Sequence, residues 1–150
     1  MSPARTKLPF LALLATLLLL VALPAGTASA ADTPEADRLA TQNVIEQQIT
    51  AFQAGDHERA YSLAAPGVKS VFPTVERFID MVTTGYKPVY DPESYVFGRS
   101  IEQSGTIHQE VLVTDWEGRT WQAVYTLARQ EDGSWKITGV KLNPYKGVSA

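Results

Sequence analysis

The chain contains no cysteine and only two histidines in its 150 residues. The absence of cysteine excludes disulfide scaffolds, thiolate zinc sites, cysteine nucleophiles and lipid attachment through an N-terminal cysteine. Positive charge is also scarce, since 13 Lys and Arg stand against 16 Asp and Glu and no basic run occurs. We therefore expect no nucleic-acid partner. The length allows one compact domain and little else.

The first thirty residues have the pattern of a secretory signal peptide. Arg5 and Lys7 form a short positive region, and sixteen uncharged residues, rich in leucine and alanine, follow at 8–23. The segment 28–30 reads Ala-Ser-Ala, the small-x-small form that a signal peptidase accepts. The alternative is an uncleaved membrane anchor, but the apolar run is shorter than the ~20 residues needed to span hydrocarbon.

We predict cleavage between Ala30 and Ala31, which would leave a periplasmic or secreted protein. The formal net charge would then change from −3 to −5, because the signal peptide contains Arg5 and Lys7 and no acidic residue. A chain of this charge is poorly attracted to anionic lipid, so we expect no membrane association after cleavage. Export without cysteine suggests a bacterial domain that is stabilised by its core alone.

The mature chain is predicted to contain helices first and strands afterwards. Residues 31–42 would form an N-terminal extension leading into the first helix, 43–142 the domain, and 143–150 a C-terminal tail. An apolar stripe at Ile45, Ile49 and Phe52 indicates that the first helix is amphipathic. The breakers and caps predict three helices, at 34–54, 56–64 and 73–85.

After residue 92 the hydrophobic period changes to two, which is typical of strands. The links between the apolar segments are short and polar, so neighbouring strands must be antiparallel. The pattern predicts an α+β fold in which the N-terminal helices pack on one face of a curved four-stranded antiparallel sheet. The predicted strands are 95–101, 107–115, 120–129 and 135–142.

Three segments of the chain together carry a family resemblance. They are A-F-Q-A-G-D at 51–56, F-I-D-M-V-T-T-G-Y-K-P-V-Y at 78–90, and D-G-S-W-K-I-T-G-V at 132–140. The chain resembles the bacterial domain of unknown function 4864 family over about 43–142, within the nuclear transport factor 2-like, or SnoaL-like, superfamily. The resemblance implies a cystatin-like cone whose open end can hold a small ligand. Because this fold serves both isomerases and non-catalytic modules, it leaves the chemistry open.

Strand parity predicts which side chains face the helices. On the second predicted strand, Gln109 shares the richer apolar face, whereas His108 and Glu110 lie on the other. The same reasoning places Arg99 and Tyr125 inward. A base-catalysed isomerase or dehydratase needs a buried carboxylate or histidine. None stands in the middle of an inward strand face, so catalysis is the less favoured interpretation.

The inward polar side chains are candidates for ligand binding. Arg99 could hold a carboxylate or phosphate, although an arginine near a strand end more often reaches water or a local acid. Gln109 and Tyr125 could give directional hydrogen bonds to a ligand. Alternatively, they satisfy one another or a buried water.

Three tyrosines, Tyr86, Tyr90 and Tyr95, lie within ten residues on the linker that would close the mouth of the cone. An aromatic rim of this kind can bind an apolar or cyclic ligand. The alternative, which we weigh equally, is that the rings only pack the linker against the core.

We expect no metal and no cofactor. His108 and Glu110 could supply two ligands, but two ligands without a third make a poor site. Gly139 indicates a bulge or a close backbone approach in the last strand. Aliphatic side chains on the outer sheet face suggest a homodimer formed through the sheet, although scattered surface apolar residues need no explanation. These aliphatics are Val96, Leu112, Val124, Val140 and Leu142.

The function that these patterns favour is a non-catalytic module that binds a small apolar or weakly anionic molecule, or a protein partner. One alternative is an enzyme like ketosteroid isomerase or a dehydratase, acting on a small cyclic or hydrophobic substrate with Asp115, His108 or Asp80 as its base. A second alternative is a purely structural dimer with a filled core and no pocket.

Overall fold

The computed structural model describes residues 31–147. The predicted signal peptide at 1–30 and the last three residues of the predicted tail lie outside the described residues. No helix within 31–147 is both long and apolar enough to cross a membrane.

The helical half of the chain confirms the three predicted helices and adds two short ones. Asp56 caps α2 by accepting a hydrogen bond from the backbone N of Arg59 at 3.1 Å. The additional helices both have proline in the first turn, where its missing N–H costs nothing. The sequence pattern predicted no helix at either proline. The helices are α1 (Glu35–Gln53), α2 (His57–Ser62), α3 (Pro66–Val71), α4 (Val75–Gly85) and α5 (Lys87–Tyr90).

The sheet is antiparallel and has five strands in chain order, not four. The unpredicted strand has only two residues and pairs with β2 through Ala31 opposite Glu102. Two residues are too few to show a hydrophobic period, so no sequence pattern could have indicated it. The strands are β1 (Ala31–Asp32), β2 (Ser94–Gln103), β3 (Thr106–Thr114), β4 (Thr120–Arg129) and β5 (Trp135–Pro144).

The predicted inward faces of β3 and β4 are confirmed. Alternate residues along both strands are fully buried and pack against Ile45 and Ile49 of α1. This sheet core holds the helices and the sheet together, because burial of each large aliphatic side chain contributes about 1.5–3 kcal/mol. Its fully buried strand residues are Ile107, Gln109, Val111, Val113, Ala123, Tyr125 and Leu127.

A bulge in β2 changes the predicted position of Arg99. Pairing with β3 shifts between Phe97 and Ser100, so that Ser100 lies opposite Gln109. One extra residue in a strand reverses the parity of the residues beyond it. Ser100 is therefore buried and Arg99 is exposed. The prediction that Arg99 points inward was wrong.

A second bulge lies between β4 and β5. Thr126 pairs with Gly139 and Leu127 pairs with Ile137, which leaves Thr138 as the extra residue. The predicted bulge at Gly139 is confirmed. Beyond it, Val140 and Leu142 pack against the sheet core, so their predicted place on the outer face was wrong.

A second apolar cluster, the helix core, lies between the helices. It is buried among α1, α2 and α4 and includes Phe52, Phe78 and Val82. Helix α1 contributes to both cores, through Ile45 and Ile49 to the sheet core and through Phe52 to the helix core. The two cores approach one another near β5, and the candidate site lies there.

Candidate functional site

An open cavity of about 350 Å³ lies between α1, α3, α4 and β5. It forms where the two cores meet, with Phe52 and Phe78 from the helix core on one side and Ile137 from the sheet core on another. Ala64 and Gly67 also line it, and neither fills the space, because Ala64 has only a methyl group and Gly67 has no side chain.

Backbone hydrogen bonds hold the two sides of the cavity in place. The N of Ala65 donates to the O of Ile137 at 2.8 Å, and the N of Ile137 donates to the O of Leu63 at 3.0 Å. These bonds attach the start of α3 to β5 at one point. The backbone bridge to this segment is at Ile137. The next residues of β5, 138–140, form part of the cavity wall.

The wall of the cavity is largely apolar. Among its lining residues there is no Asp, Glu, His, Lys or Arg. The polar side chains in the wall are those of Gln48, Tyr86 and Thr138. The hydroxyl of Thr138 donates to the O of Thr126 at 3.1 Å. The site can therefore accept an apolar body and offers few polar groups to orient it.

Of the six predicted binding residues, only Tyr86 lines this cavity. The ring of Tyr90 packs on Phe52 with 5.3 Å between centroids, and its hydroxyl lies 3.0 Å from Nε2 of His57. Tyr90 therefore packs against Phe52, which lines the cavity, but does not line the cavity itself. The three tyrosines do not form one rim.

Gln109 is part of the internal framework of the sheet. Its Nε2 donates to the O of Glu110 at 2.8 Å and to the O of Gly98 at 3.1 Å, and its Oε1 accepts from Nε2 of Gln42. These bonds supply donors to the carbonyls at the β2 bulge and connect it to α1. Gln109 is therefore satisfied by Gln42 and by backbone carbonyls, and the expectation that Gln109 and Tyr125 satisfy one another was wrong.

Tyr125 and Tyr95 also lie away from the cavity wall. Tyr125 is completely buried, and its hydroxyl has no hydrogen-bond partner within residues 31–147. Burial raises the pKa of Tyr125. Tyr95 packs edge-on against Phe97 at 5.8 Å between centroids. Burial, and secondarily the charge of Glu46, raises the pKa of Tyr95.

The three candidate bases also stand outside the cavity wall. Asp115 accepts hydrogen bonds from the indole N–H of Trp121 and from both the backbone and the guanidinium of Arg119, each at 2.9 Å. The Trp121 bond is the main cause that lowers the pKa of Asp115 to about 2, and the bonds from Arg119 add to it. His108 is half-buried on the outer sheet face, and Asp80 is exposed on α4.

Within residues 31–147, no three His, Asp or Glu side chains lie close enough together to hold a metal ion.

The sequence interpretation missed Gln48, the buried polar residue of the cavity wall. Its signal was present, because Gln48 stands between Ile45 and Phe52 at spacing that places all three on one helix face. A polar residue inside an apolar stripe indicates a buried hydrogen-bonding group. The lining from α3 was missed for a different reason, since that helix was not predicted.

The fold belongs to the NTF2-like class. The chain is similar to a crystal structure of an NTF-2 like protein of unknown function from Silicibacter pomeroyi DSS-3, with a TM-score of 0.51 and 17% identity. The alignment covers 75% of this chain and 100% of that one. At this identity the similarity shows the fold alone.

The family can be stated more narrowly. The model of the family described as Domain of unknown function (DUF4864) matches residues 34–150, and the chain belongs to this family. The resemblance to the DUF4864 family is therefore confirmed, and the NTF2-like resemblance is confirmed at the level of the fold. A comparison with curated proteins found no match.

Proposed function

We propose that this protein is an exported, non-catalytic module that binds a small apolar molecule in the cavity between α1, α3, α4 and β5. The open cavity of about 350 Å³ with apolar walls carries the proposal. Small-molecule sites are typically concave, mostly apolar and largely preformed, with volumes of roughly 300–1,000 Å³.

The mouth of the cavity adds support. Val71 lines it and is 69% exposed, and Val68 and Phe72 beside it are half-buried. A bound apolar molecule would remove part of this surface from water, at about 25 cal/mol for each Å² buried. Contiguous apolar surface around a concave site is typical of binding sites.

The composition of the wall favours binding over catalysis. General acid–base catalysis needs a titratable group within hydrogen-bond reach of the substrate. Tyr86 is the one titratable side chain among the lining residues. The exposure of Arg99 also removes the cation that a weakly anionic ligand would need, so we favour an uncharged one.

The proposal of export rests only on the sequence of the predicted signal peptide at 1–30. The positive residues, the apolar run at 8–23 and the Ala-Ser-Ala segment support cleavage after Ala30. Expression of the full chain in a bacterial host, with mass spectrometry of the periplasmic fraction, tests this. We expect a chain that begins at Ala31, and an intact N-terminus in the membrane fraction would contradict the proposal.

Homodimerisation through the sheet is a separate proposal that rests on three of the five outer aliphatics. Val96 is 61% exposed, and Leu112 and Val124 on the same outer face are half-buried. Val140 and Leu142 do not contribute to this face. Sedimentation equilibrium tests the proposal, because Val96→Glu should shift a dimer to monomer, and a monomeric wild type would contradict it.

Binding can be tested with the neutral fluorescent probe N-phenyl-1-naphthylamine. We expect saturable binding with a blue shift in emission. Val82→Phe should abolish it, because Val82 lines the cavity and the larger ring would occupy the space. The matched control is Val124→Phe, which makes the same change on the outer sheet face. No binding, or equal binding by both variants, would contradict the proposal.

A further inference from the structure

One buried polar side chain in the cavity wall has an unused acceptor. Gln48 is 3% exposed and lines the cavity, on the face of α1 that also carries Ile45, Ile49 and Phe52. Buried amides in such apolar surroundings are normally hydrogen-bonded through both ends. Gln48 satisfies only one end within residues 31–147.

The hydrogen bond that Gln48 makes determines which end is free. Its Nε2 donates to the O of Ala60 at 3.2 Å. A carbonyl can only accept, so the amide nitrogen must face Ala60 and Oε1 must be the other atom. Oε1 accepts no hydrogen bond in the described part of the chain. The cavity wall therefore contains a carbonyl oxygen that a ligand can reach and that lacks a donor.

An unpaired acceptor selects the chemistry of its partner. Oε1 of an amide can bind an O–H or N–H group, but it repels a carboxylate or an ether oxygen. The wall also contains no Lys, Arg or His that could compensate an anionic group, and burying an unpaired charge is very costly. The hydroxyl of Tyr86 can donate or accept, so it does not discriminate between these classes.

We propose that the ligand is an uncharged amphiphile with a hydroxyl or N–H donor, such as a fatty alcohol, whose donor binds Oε1 of Gln48 while its apolar body fills the cavity. This inference rests on the proposed function. It adds the charge and the polar group of the ligand, and it assigns the residue that recognises that group.

Three compounds with one apolar chain test the inference in the unmodified protein. They are 1-decanol, which has a donor, decyl methyl ether, which has only an acceptor, and decanoate, which is ionised at pH 7. Displacement of N-phenyl-1-naphthylamine gives their relative affinities. A net hydrogen bond predicts that 1-decanol binds about fivefold more tightly than the ether, and decanoate should bind most weakly.

Two variants test whether Gln48 causes the preference for the alcohol over the ether. Gln48→Met keeps the length of the side chain and removes the acceptor, so it should reduce the ratio of alcohol to ether affinity to about one. The O of Ala60 still accepts from the N of Leu63 at 3.3 Å, which limits the structural cost. The matched control is Tyr86→Phe, which removes a hydroxyl elsewhere in the cavity wall and should leave the ratio of alcohol to ether affinity unchanged.

The outcomes separate the two proposals. If the probe and all three compounds fail to bind, the proposed function and the assignment of the ligand class are both wrong. If the compounds bind but the alcohol and the ether have equal affinities, or decanoate binds best, the cavity binds ligands and only the proposed ligand class is wrong.

Loss of the preference for the alcohol in Tyr86→Phe instead of Gln48→Met would overturn the assignment to Gln48. The wild-type comparison decides the ligand class even if Gln48→Met does not fold.

Discussion

Two buried glutamines show how the sheet core and the cavity wall differ. Gln109 uses both ends of its amide, donating to backbone carbonyls at the β2 bulge and accepting from Gln42. Gln48 uses only the amide nitrogen, on the O of Ala60. A satisfied buried amide stabilises the framework, whereas a half-satisfied one beside a cavity is available to a ligand. The same residue type thus has a structural position in one region and a candidate binding position in the other.

Packing differs between the regions in the same way. The side chains of Val111, Tyr125 and Leu127 have no exposed surface. On the cavity side, Met81 and Val68 are half-buried and adjoin the void. Changes in the sheet core should therefore affect stability, and changes in the cavity wall should affect binding.

The largest expected effect separates these two types of packing. Leu127→Ala should lower the free energy of unfolding by about 2–5 kcal/mol, because it leaves a cavity in a filled core. Met81→Ala, at the cavity wall, should cost clearly less, since its side chain is already half-buried. Urea denaturation measures both. Equal losses would show that the two regions are packed alike.

The next effect compares the two glutamines directly. Gln109→Leu should lower the free energy of unfolding by about 1–3 kcal/mol, because carbonyls at the bulge lose their donor. Gln48→Met removes one bond to a carbonyl that has a second donor, so it should cost less. Chemical denaturation of both variants gives the comparison. A larger loss for Gln48→Met would contradict the roles that we assign.

A smaller, pH-dependent effect is expected at Asp115. Its pKa is lowered to about 2 in the folded chain, from an ordinary value of 3.8. The stabilisation is therefore complete above about pH 4 and is lost as the pH falls towards 2. Asp115→Asn should be less stable than the wild type at pH 7, and this difference should shrink between pH 4 and pH 2. Thermal melts over this range test it, and a constant difference would contradict it.

The smallest effect is expected at Tyr125. Its buried hydroxyl has no partner among residues 31–147, so Tyr125→Phe removes a desolvated polar group without breaking a bond. We expect a change within about 1 kcal/mol, towards greater stability. A matched variant is Tyr61→Phe, which loses a hydrogen bond of 2.7 Å to the O of Phe72 and should be destabilised. A larger loss at Tyr125 would mean that its hydroxyl has a partner.

The sequence predicted the fold class well because the periodic segments are long. The inward faces of β3 and β4 followed from alternation, and the α2 cap followed from Asp56. The errors had local causes. Bulges reversed the parity of Arg99, Val140 and Leu142, because their positions depend on strand pairing that the chain order does not show. Helix α3 and the two-residue β1 were too short to carry a period.

The candidate site was harder to predict than the fold. The six predicted residues were chosen by strand parity or by closeness along the chain. Of these six, only Tyr86 lines the cavity. The remaining lining comes from α1, α3, α4, α5 and β5 and from residues that flank α3, spread between positions 48 and 140. Only the folded arrangement brings them together, because α1 and α3 contact β5 while α4 contacts α2 and α5.

The central claim is that a small uncharged ligand enters the cavity beside β5, and NMR titration of the isotopically labelled chain with 1-decanol tests it most directly. We predict saturable amide shift changes in α3, in α4 and at residues 138–140, with little change along β3. Shift changes confined to the outer sheet face, or none at saturating 1-decanol, would contradict it.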